Sequence, residues 1–406
     1  MFIMPKSCTT KRRHRQSGIS MVELMIGVVI GLLTALVVAN TIIASDEQRR
    51  GTVTGNDAQN NATLAAYLIE RDIRMSGYGI FTNETDGLGR VCTVGNVRTH
   101  NASRSTPQLN FDTNLPFAPA YINPPTIPTG DAGSDVLLVN YSGGDMAVSG
   151  TGVRLGQNTD TSSTSVSGGF NFRINAAEFT LAGYRTGDLV VAVENGQDCS
   201  LYEITAPNAP MTGDSLTIGT AAYASDHQNG TSTTANWNKS GGLGVNYTTT
   251  GRIYNIGAAS QFVSVAYAVR NGQLVRCDLM TSTCTDNGTT QDATIWVPIA
   301  SNVAALRVEM GRDTDGDRIV DTWSERPCGD GTCTPTYDHW TQVKAIRMVV
   351  VARSMQFSKD EATAAVPTWQ GQNAISLDHI PDWNHYRYGT VELLVPLRNV
   401  VLWSTI

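Results

Sequence analysis

A long apolar run near the N-terminus dominates the pattern of hydrophobic and polar positions. From Leu24 to Ser45 there are 22 residues without a charge, enough for a helix to cross about 30 Å of hydrocarbon. Glu23 lies at the start of this run. Because an ionised carboxylate in hydrocarbon is costly, a glutamate there is a functional hypothesis in itself. The pattern predicts one membrane-spanning helix that carries a carboxylate in its first turn.

Helical spacing continues beyond Ser45. The predicted apolar stripe is formed by Leu64, Leu68, Ile69 and Ile73, and the predicted polar face opposite it by Glu70, Arg71, Asp72 and Arg74. Gly77 and Gly79 predict the end of the helix. Residues 51–55, Gly-Thr-Val-Thr-Gly, are poor helix formers and predict a bend or an interruption in the middle.

After residue 81 the pattern becomes that of β-strands. Six runs rich in branched and aromatic residues predict strands at 135–141, 188–195, 262–270, 305–310, 343–354 and 388–403. Residues 142–169 and 219–251 are dominated by Gly, Ser, Thr and Asn, and they predict mobile loop insertions. The predicted fold class is therefore α+β, with a long N-terminal helix packed on a large β-rich head.

Charge separates a basic leader from an acidic body. The first 18 residues hold five basic residues and no acidic ones, and the remaining 24 basic and 36 acidic residues give a net charge of −12. An acidic body argues against binding to nucleic acid. Positive charge ahead of the apolar run predicts a cytoplasmic N-terminus and an exported body.

The cysteines are consistent with an oxidising compartment. Cys8 lies in the leader, and the body contains Cys92, Cys199, Cys277, Cys284, Cys328 and Cys333. Six cysteines allow fifteen pairings, so the sequence does not determine the connectivity. The short spacings favour the local pairs 277–284 and 328–333, which would leave 92–199. A zinc site is the alternative, but the chain has no C-x-x-C pair and no histidine at finger spacing.

Three interpretations of the N-terminal segment compete. A secretory signal peptide has an apolar region of 7–15 residues followed by a small-residue cleavage site. Ala44 could supply such a site, but the run is longer and Glu23 disturbs its start. A plain signal anchor explains the length and makes Glu23 a tolerated interfacial acid.

The third interpretation rests on "SGISMVEL", residues 17–24, which resembles the type IV prepilin signature. In that family a basic leader ends in Gly, and an apolar helix follows with Glu at the fifth mature position. The resemblance implies that a prepilin peptidase cleaves between Gly18 and Ile19 on the cytoplasmic side and methylates Ile19. The family usually has Phe at the position of Ile19. The resemblance further implies a role in assembly for Glu23.

The chemistry of this arrangement explains a carboxylate in the membrane run. Cleavage would create a cationic amine at Ile19, and the amine of a neighbouring subunit would neutralise Glu23 when the helices pack side by side. A lone buried charge is heavily penalised, and the penalty is offset only when its partner is present. Leaving the bilayer alone would therefore be less favourable than leaving it beside a neighbour.

Further motifs resemble the PilW family of large minor pilins. They are "LIERDIRMSGYGI" (68–80), "RMVVVARS" (347–354) and "PLRN" (396–399). The resemblance implies a leader peptide at 1–18, a membrane and assembly helix at 19–45, an amphipathic continuation at 46–80 and a β-rich extracytoplasmic head at 81–406.

The sequence "DTDGDRIVD" is the candidate metal site. Its predicted ligands are the side chains of Asp313, Asp315, Asp317 and Asp321 and the carbonyl of Ile319, at loop positions 1, 3, 5, 9 and 7. Hard oxygen donors at this spacing suit Ca²⁺. Position 6 is Arg318 rather than Gly, so the loop resembles the Asp-rich calcium loops of extracellular repeats more than an EF-hand. The alternative is an acidic turn, since Asp and Gly are common turn formers.

No motif for catalysis is present. The chain lacks G-x-S-x-G, H-E-x-x-H and G-x-x-x-x-G-K. His339, His379 and His385 lie near aspartates in the sequence, but adjacent residues of a strand point to opposite faces. The aromatic cluster of Trp383, His385, Tyr386 and Tyr388 is typical of a core or an interface. We predict no enzyme activity.

The resemblance implies a structural minor pilin that helps to initiate a type IV pilus, near its tip. Expected partners are other minor pilins and the major pilin through the N-terminal helix, the prepilin peptidase and a tip adhesin; no nucleic acid is expected. The protein would span the inner membrane once before assembly and lie in the surface pilus afterwards. The alternatives are a type II secretion pseudopilin and a membrane-anchored adhesin or hydrolase outside any fibre.

Overall fold

The computed structural model describes residues 18, 20–80, 97–99, 118–142, 152–159, 170–175, 183–206, 214–329 and 337–401. The chain divides into two compact units, Met1–Val53 and Thr54–Ile406. Helix α1 (Met21–Met75) is a continuous helix, so the predicted interruption at 51–55 is wrong. A glycine in a helix interior costs only about 1 kcal/mol relative to alanine. Residues 51–55 also extend helical segments on both sides, so no new helix nucleus has to form there.

The described part of the first unit is the apolar half of α1. Its large side chains, from Met21 to Ile43, are exposed. Thr34 donates a hydrogen bond from Oγ1 to the Ile30 carbonyl (2.9 Å), and Thr41 donates one to the Val37 carbonyl (2.7 Å). Both threonine hydroxyls therefore find acceptors within the helix, which lowers the cost of placing them in an apolar environment. Among the described residues, α1 is the helix that is long and apolar enough to cross a membrane.

The second unit is rich in short strands. In chain order they are β1 (Val97–Arg98), β2 (Ala120–Ile122), β3 (Leu137–Ser142), β4 (Val153–Arg154), β5 (Phe170–Arg173), β6 (Asp188–Val193), β7 (Cys199–Glu203), β8 (Ser215–Ile218), β9 (Ala222–Ser225), β10 (Thr231–Thr234), β11 (Arg252–Ala258), β12 (Phe262–Arg270), β13 (Gln273–Asp278), β14 (Val297–Ser301), β15 (Val303–Arg312), β16 (Thr322–Ser324), β17 (Val343–Arg353) and β18 (Tyr388–Pro396). The short helices are α2 (Tyr337–Gln342) and α3 (Arg398–Val401), with 3₁₀ turns at Asp226–Gln228, Asn287–Thr289 and Trp383–His385.

These strands form three larger sheets and two strand pairs. The first sheet has the order β14-β13-β12-β3-β2, the second β16-β15-β17-β18 and the third β1-β7-β6-β11-β4. Strand β5 pairs with β8, and β9 pairs with β10. Only β1 and β7 run parallel among the described strand pairs. The predicted α+β class, a long helix with a large β-rich head, is confirmed.

The second half of α1 packs on the first and second sheets through small side chains. The buried helix residues are Ala58, Ala62, Ala65, Ala66, Ile69 and Ile73, and five of them, from Ala62 to Ile73, share one apolar core with both sheets. Leu64, predicted to be in the stripe, is 49% exposed. A β-carbon on Gly389 of β18 would lie 2.6 Å from the Gln59 nitrogen. Alanine and glycine occupy these positions because only small residues permit the backbones of α1 and β18 to approach so closely.

Asp72 corrects the predicted polar face of α1, because it is fully buried. Its carboxylate accepts hydrogen bonds from the hydroxyls of Tyr267 on β12 (2.6 Å) and Tyr141 on β3 (3.1 Å), and from Arg71 Nε (3.1 Å). Burial and the Asp72 charge raise the pKa of Tyr141 to about 12, and the same causes raise the pKa of Tyr267 further. Both tyrosines therefore remain donors at physiological pH. The helix is clamped to two adjacent strands of the first sheet.

The C-terminal end of α1 is capped by the end of the chain. Asn399 in α3 donates from Nδ2 to the carbonyls of Met75 (3.2 Å) and Ser76 (3.1 Å), and the Met75 carbonyl also accepts from the Tyr78 nitrogen (3.1 Å). These bonds satisfy carbonyls at a helix end, which lack partners within the helix. Gly77 then adopts a φ of +80°, the left-handed conformation that commonly ends helices. The "PLRN" motif thus has a structural role.

The stretch 219–251, predicted to be a mobile loop insertion, contains regular structure. It includes the β9–β10 hairpin. Trp237 and Tyr247 are 4% and 1% exposed, and Tyr247 contributes to a second apolar core below the third sheet. Ser and Thr dominate its composition, but single aromatic side chains provide the anchors. Of the other predicted insertion, 142–169, only Ser142 and 152–159 are described.

We predict that Asp72→Ala lowers the free energy of unfolding of the second unit by about 2–4 kcal/mol, because two buried hydroxyls lose their charged acceptor. Denaturant titration of the full chain in nonionic detergent, followed by tryptophan fluorescence, measures this change. The matched control is Asp57→Ala on the exposed face of the same helix, expected within about 0.5 kcal/mol of wild type. Equal midpoints for the two variants would contradict a clamping role for Asp72.

Candidate functional site

The start of α1 is the first candidate site. Glu23 Oε2 accepts a hydrogen bond from the Ser20 backbone nitrogen (3.3 Å), and Ser20 Oγ accepts one from the Val22 nitrogen (3.4 Å). These contacts form a variant of the capping box in which the N-cap serine accepts from the second rather than the third helical nitrogen, and they satisfy donors that the first helical turn leaves without partners. Sequence reasoning missed the role of Ser20, although Ser-x-x-Glu is a readable signal for it.

The surroundings of Glu23 suit an anionic side chain. The carboxylate lies in the first turn of the helix, where the positive end of the helix dipole favours negative charge. Gly18 is exposed, and a β-carbon there would have no atom within 4 Å among the described residues. Ile19, the predicted first mature residue, lies outside the described residues. The carboxylate thus contacts the backbone one residue after the predicted new N-terminus.

The cysteines are engaged in disulfides where they are described. Cys277 at the end of β13 forms a disulfide with Cys284 across a seven-residue separation, one of the two local pairs favoured by spacing. Cys199 and Cys328 are also disulfide-bonded. Their predicted partners, Cys92 and Cys333, lie outside the described residues. The 92–199 and 328–333 pairings therefore stay predictions.

The aspartate loop after β15 brings three of its carboxylates together. Asp313, Asp315 and Asp317 each offer an oxygen, and these oxygens lie within 4.8 Å of one another. Asp313 is 4% exposed and accepts hydrogen bonds from the backbone nitrogens of Gly316 (2.7 Å) and Arg318 (3.0 Å). Asp315 and Asp317 are exposed. The chain turns tightly here, since Gly316 and Arg318 both have positive φ.

The other two predicted ligands behave differently. Asp321 accepts hydrogen bonds from the nitrogen and hydroxyl of Thr314 (2.6 and 2.9 Å) and so closes the loop; these bonds lower the pKa of Asp321. The Ile319 nitrogen donates to Asp317 Oδ1 (2.7 Å). Lys344 Nζ lies 4.0 Å from Asp313 Oδ2 and competes for the same carboxylate. Three carboxylates fit a hard cation, and the loop is also held by its own hydrogen bonds.

The histidine and aromatic cluster near β18 has structural contacts. His385 stacks on Phe357 with ring centroids 4.8 Å apart, and its Nδ1 lies 2.9 Å from the Ser358 carbonyl. The Tyr388 hydroxyl donates to the Trp383 carbonyl (3.0 Å). Burial raises the pKa of Tyr388 to about 12. These contacts fasten the segment before β18.

Comparison with known proteins agrees with one part of the sequence analysis. Residues 266–399 match the family model of the type IV pilus-assembly protein W, PilW, which confirms the resemblance in the C-terminal third of the chain. The matched region runs from β12 to α3. None of the curated proteins matches the chain.

Among solved structures, a type IV-like pilin from Thermus thermophilus is 14% identical in sequence. The match covers 55% of this chain and 90% of that chain, with a TM-score of 0.22. A TM-score this low carries no argument about the fold.

Proposed function

We propose that this chain, whose residues 266–399 match the PilW family, is a minor pilin that helps to initiate type IV pilus assembly near the fibre tip. It would be a structural subunit without enzyme activity. The family assignment supports a role in a pilus, and the finer points are argued from the chemistry of this chain. The alternatives are a type II secretion pseudopilin and a membrane-anchored adhesin or hydrolase.

The observation that carries the proposal is that the family region and the helix share one core. Strands β15, β17 and β18 and the second half of β12 lie within 266–399, and they share the apolar core with the small face of α1. Asn399, at the last matched position, caps the end of that helix. The segment of α1 that follows its membrane-length apolar run is thus part of the core of the region that resembles a pilus-assembly protein. A separately attached anchor would not need such a shared core.

Glu23 supports an assembly role through its charge. In the bilayer a lone carboxylate at the start of the apolar run is penalised, and the capping contact at 3.3 Å offers only a neutral donor. A cationic amine at Ile19 of a neighbouring subunit would be a stronger partner, because charge-assisted hydrogen bonds are roughly twice as strong as neutral ones. Pairing would therefore favour helices that leave the membrane together.

The size of the head supports a position at the tip. The head proposed for residues 81–406 would be bulky to repeat along a thin fibre, whereas one copy at an end meets no such restriction. The proposed partners are other minor pilins and the major pilin through α1, the prepilin peptidase and a tip adhesin. The proposed location is the inner membrane before assembly and the surface pilus afterwards.

We also propose that the aspartate loop binds Ca²⁺ and stabilises the head. The grouping of Asp313, Asp315 and Asp317 within 4.8 Å supports this, because hard oxygen donors are the ligands that Ca²⁺ prefers. A bound dication would offset the repulsion among three carboxylates. Its role would be structural, since the loop connects β15 and β16 of the second sheet.

Processing should start the mature protein at Ile19. N-terminal mass spectrometry of native protein measures this, and a start at Ser45 would instead support a secretory signal peptide. Gly18→Leu should leave the leader attached, because a bulky side chain obstructs the peptidase. The matched control is Gly27→Leu inside the apolar run, which should be processed normally.

The Glu23→Val variant should insert stably in the membrane and fold normally, but it should be depleted from sheared pili because the partner amine has lost its counter-charge. Comparison of membrane and pilus fractions at matched expression measures this. Glu23→Gln is the informative second variant, since Gln still serves a capping box but carries no charge. Depletion of both variants supports charge pairing. Depletion of Glu23→Val alone would support capping, and full recovery of both would contradict an assembly role for Glu23.

Millimolar Ca²⁺ should raise the thermal stability of the full chain. Binding to the folded form alone contributes RT ln(1 + [L]/Kd), about 2.7 kcal/mol at a hundredfold excess over Kd. Calorimetry with Ca²⁺ and with chelator measures the shift, and Asp317→Ala should abolish it. Asp286→Ala is the matched control, because Asp286 accepts a backbone hydrogen bond in a similar turn outside the cluster and should retain the shift. Identical melting curves with Ca²⁺ and with chelator would contradict calcium binding and leave the loop as an acidic turn.

A further inference from the structure

A polar cavity of about 420 Å³ lies at the β4 edge of the third sheet. Strand alternation explains its polarity: Leu155 and Ile174 form a bridge and point into the apolar core, so Arg154 and Arg173 belong to the opposite face. Gly156 permits the close approach of the two chains, since a β-carbon there would lie 2.5 Å from the Ile174 carbonyl oxygen. The cavity is within the size range of small-ligand sites.

The described lining of this cavity is positively charged. Arg154 and Arg173 contribute two guanidinium groups, and Asp214 contributes one carboxylate. Asp214 Oδ2 lies 3.3 Å from Arg173 Nη1, and both side chains are about half exposed, so this ion pair is easily rearranged. Local positive charge stands out against a body whose net charge is −12.

Arg154 lies opposite a second arginine in the strand pair β4–β11. Arg252 on β11 is its direct cross-strand partner, and like charges directly opposite each other destabilise a sheet. The Nε of Arg154 is buried without a hydrogen-bond partner among the described residues, an arrangement that normally costs free energy. An oxyanion in the cavity would offset the positive charge that Arg154 and Arg173 bring to its lining.

We propose that this cavity binds an oxyanion ligand, a carboxylate or phosphate group, held by Arg154 and Arg173. Guanidinium groups match such anions through paired, charge-assisted hydrogen bonds. The cavity is larger than a bare ion requires, and the polar side chains of Gln157, Asn175 and Thr249 also line it. These features favour an acidic sugar over inorganic phosphate. The site is independent of the assembly role proposed for the helix.

Isothermal titration of the full chain in nonionic detergent at low salt tests this, with D-glucuronate, inorganic phosphate and neutral D-glucose as probes. We expect saturable binding of glucuronate at least tenfold tighter than of glucose. Phosphate binding as tight as glucuronate binding would support the oxyanion site and identify a simple ion as the source. Absence of saturable binding of both anions would overturn the proposal.

Two variants act in opposite directions. Arg173→Gln should weaken glucuronate binding about tenfold or more, the effect of losing one charge-assisted contact. Asp214→Asn should tighten glucuronate binding several-fold, because the variant removes the negative charge that competes for Arg173. A misfolded variant would not bind glucuronate more tightly. Arg98→Gln is the matched control, since Arg98 is a similarly exposed arginine that pairs with Asp198 at the opposite edge of the third sheet. The affinity of this variant for glucuronate should equal that of wild type. The proposed site would be contradicted if Arg98→Gln weakened glucuronate binding as much as Arg173→Gln does, or if Asp214→Asn weakened it.

Discussion

The close packing of the second half of α1 against two sheets is the constraint on which the rest of the head depends. Alanines on the helix and Gly389 on β18 bring the two backbones near contact. At that distance a buried carboxylate on the helix, Asp72, reaches hydroxyls on two adjacent strands. Apolar burial supplies the driving force, and the carboxylate fixes the register, because it can meet both tyrosines in only one alignment.

Carboxylates recur in this protein with roles that the environment decides. Glu309 on β15 is 1% exposed, and it accepts hydrogen bonds from Arg347 (2.8 Å) and from the backbone nitrogens of Gln372 and Asn373 (2.7 and 3.0 Å). Glu203 on β7 similarly accepts hydrogen bonds from the backbone nitrogens of Asn236 and Trp237 (2.8 and 3.2 Å). Burial raises the pKa of Glu203. In both cases a buried acid holds a long connection onto a sheet.

These buried carboxylates explain how the polar, glycine-rich connections of the head are held in place over the described ranges. The connection that precedes β18 is held by Glu309 and by the stacking of Arg347 between the rings of Trp323 and Trp369, at 4.2 and 5.6 Å from the ring centroids. The first and second sheets carry the packed helix, and the third sheet carries the cavity beside β4.

The sequence by itself determined the features that depend on local pattern. The apolar run, the long helix, six of the strands and the PilW resemblance were all readable, since they rest on periodicity or on contiguous motifs. The local 277–284 disulfide followed from short spacing. Only the tertiary structure decided that Asp72 is buried, that Leu64 is exposed and that residues 219–251 contain a hairpin and buried aromatic residues. The burial of Asp72 and of the aromatic residues depends on partners tens to hundreds of residues away. The free energy of burying a side chain is set by those partners rather than by its neighbours in sequence. The hairpin is local, and its polar composition concealed it.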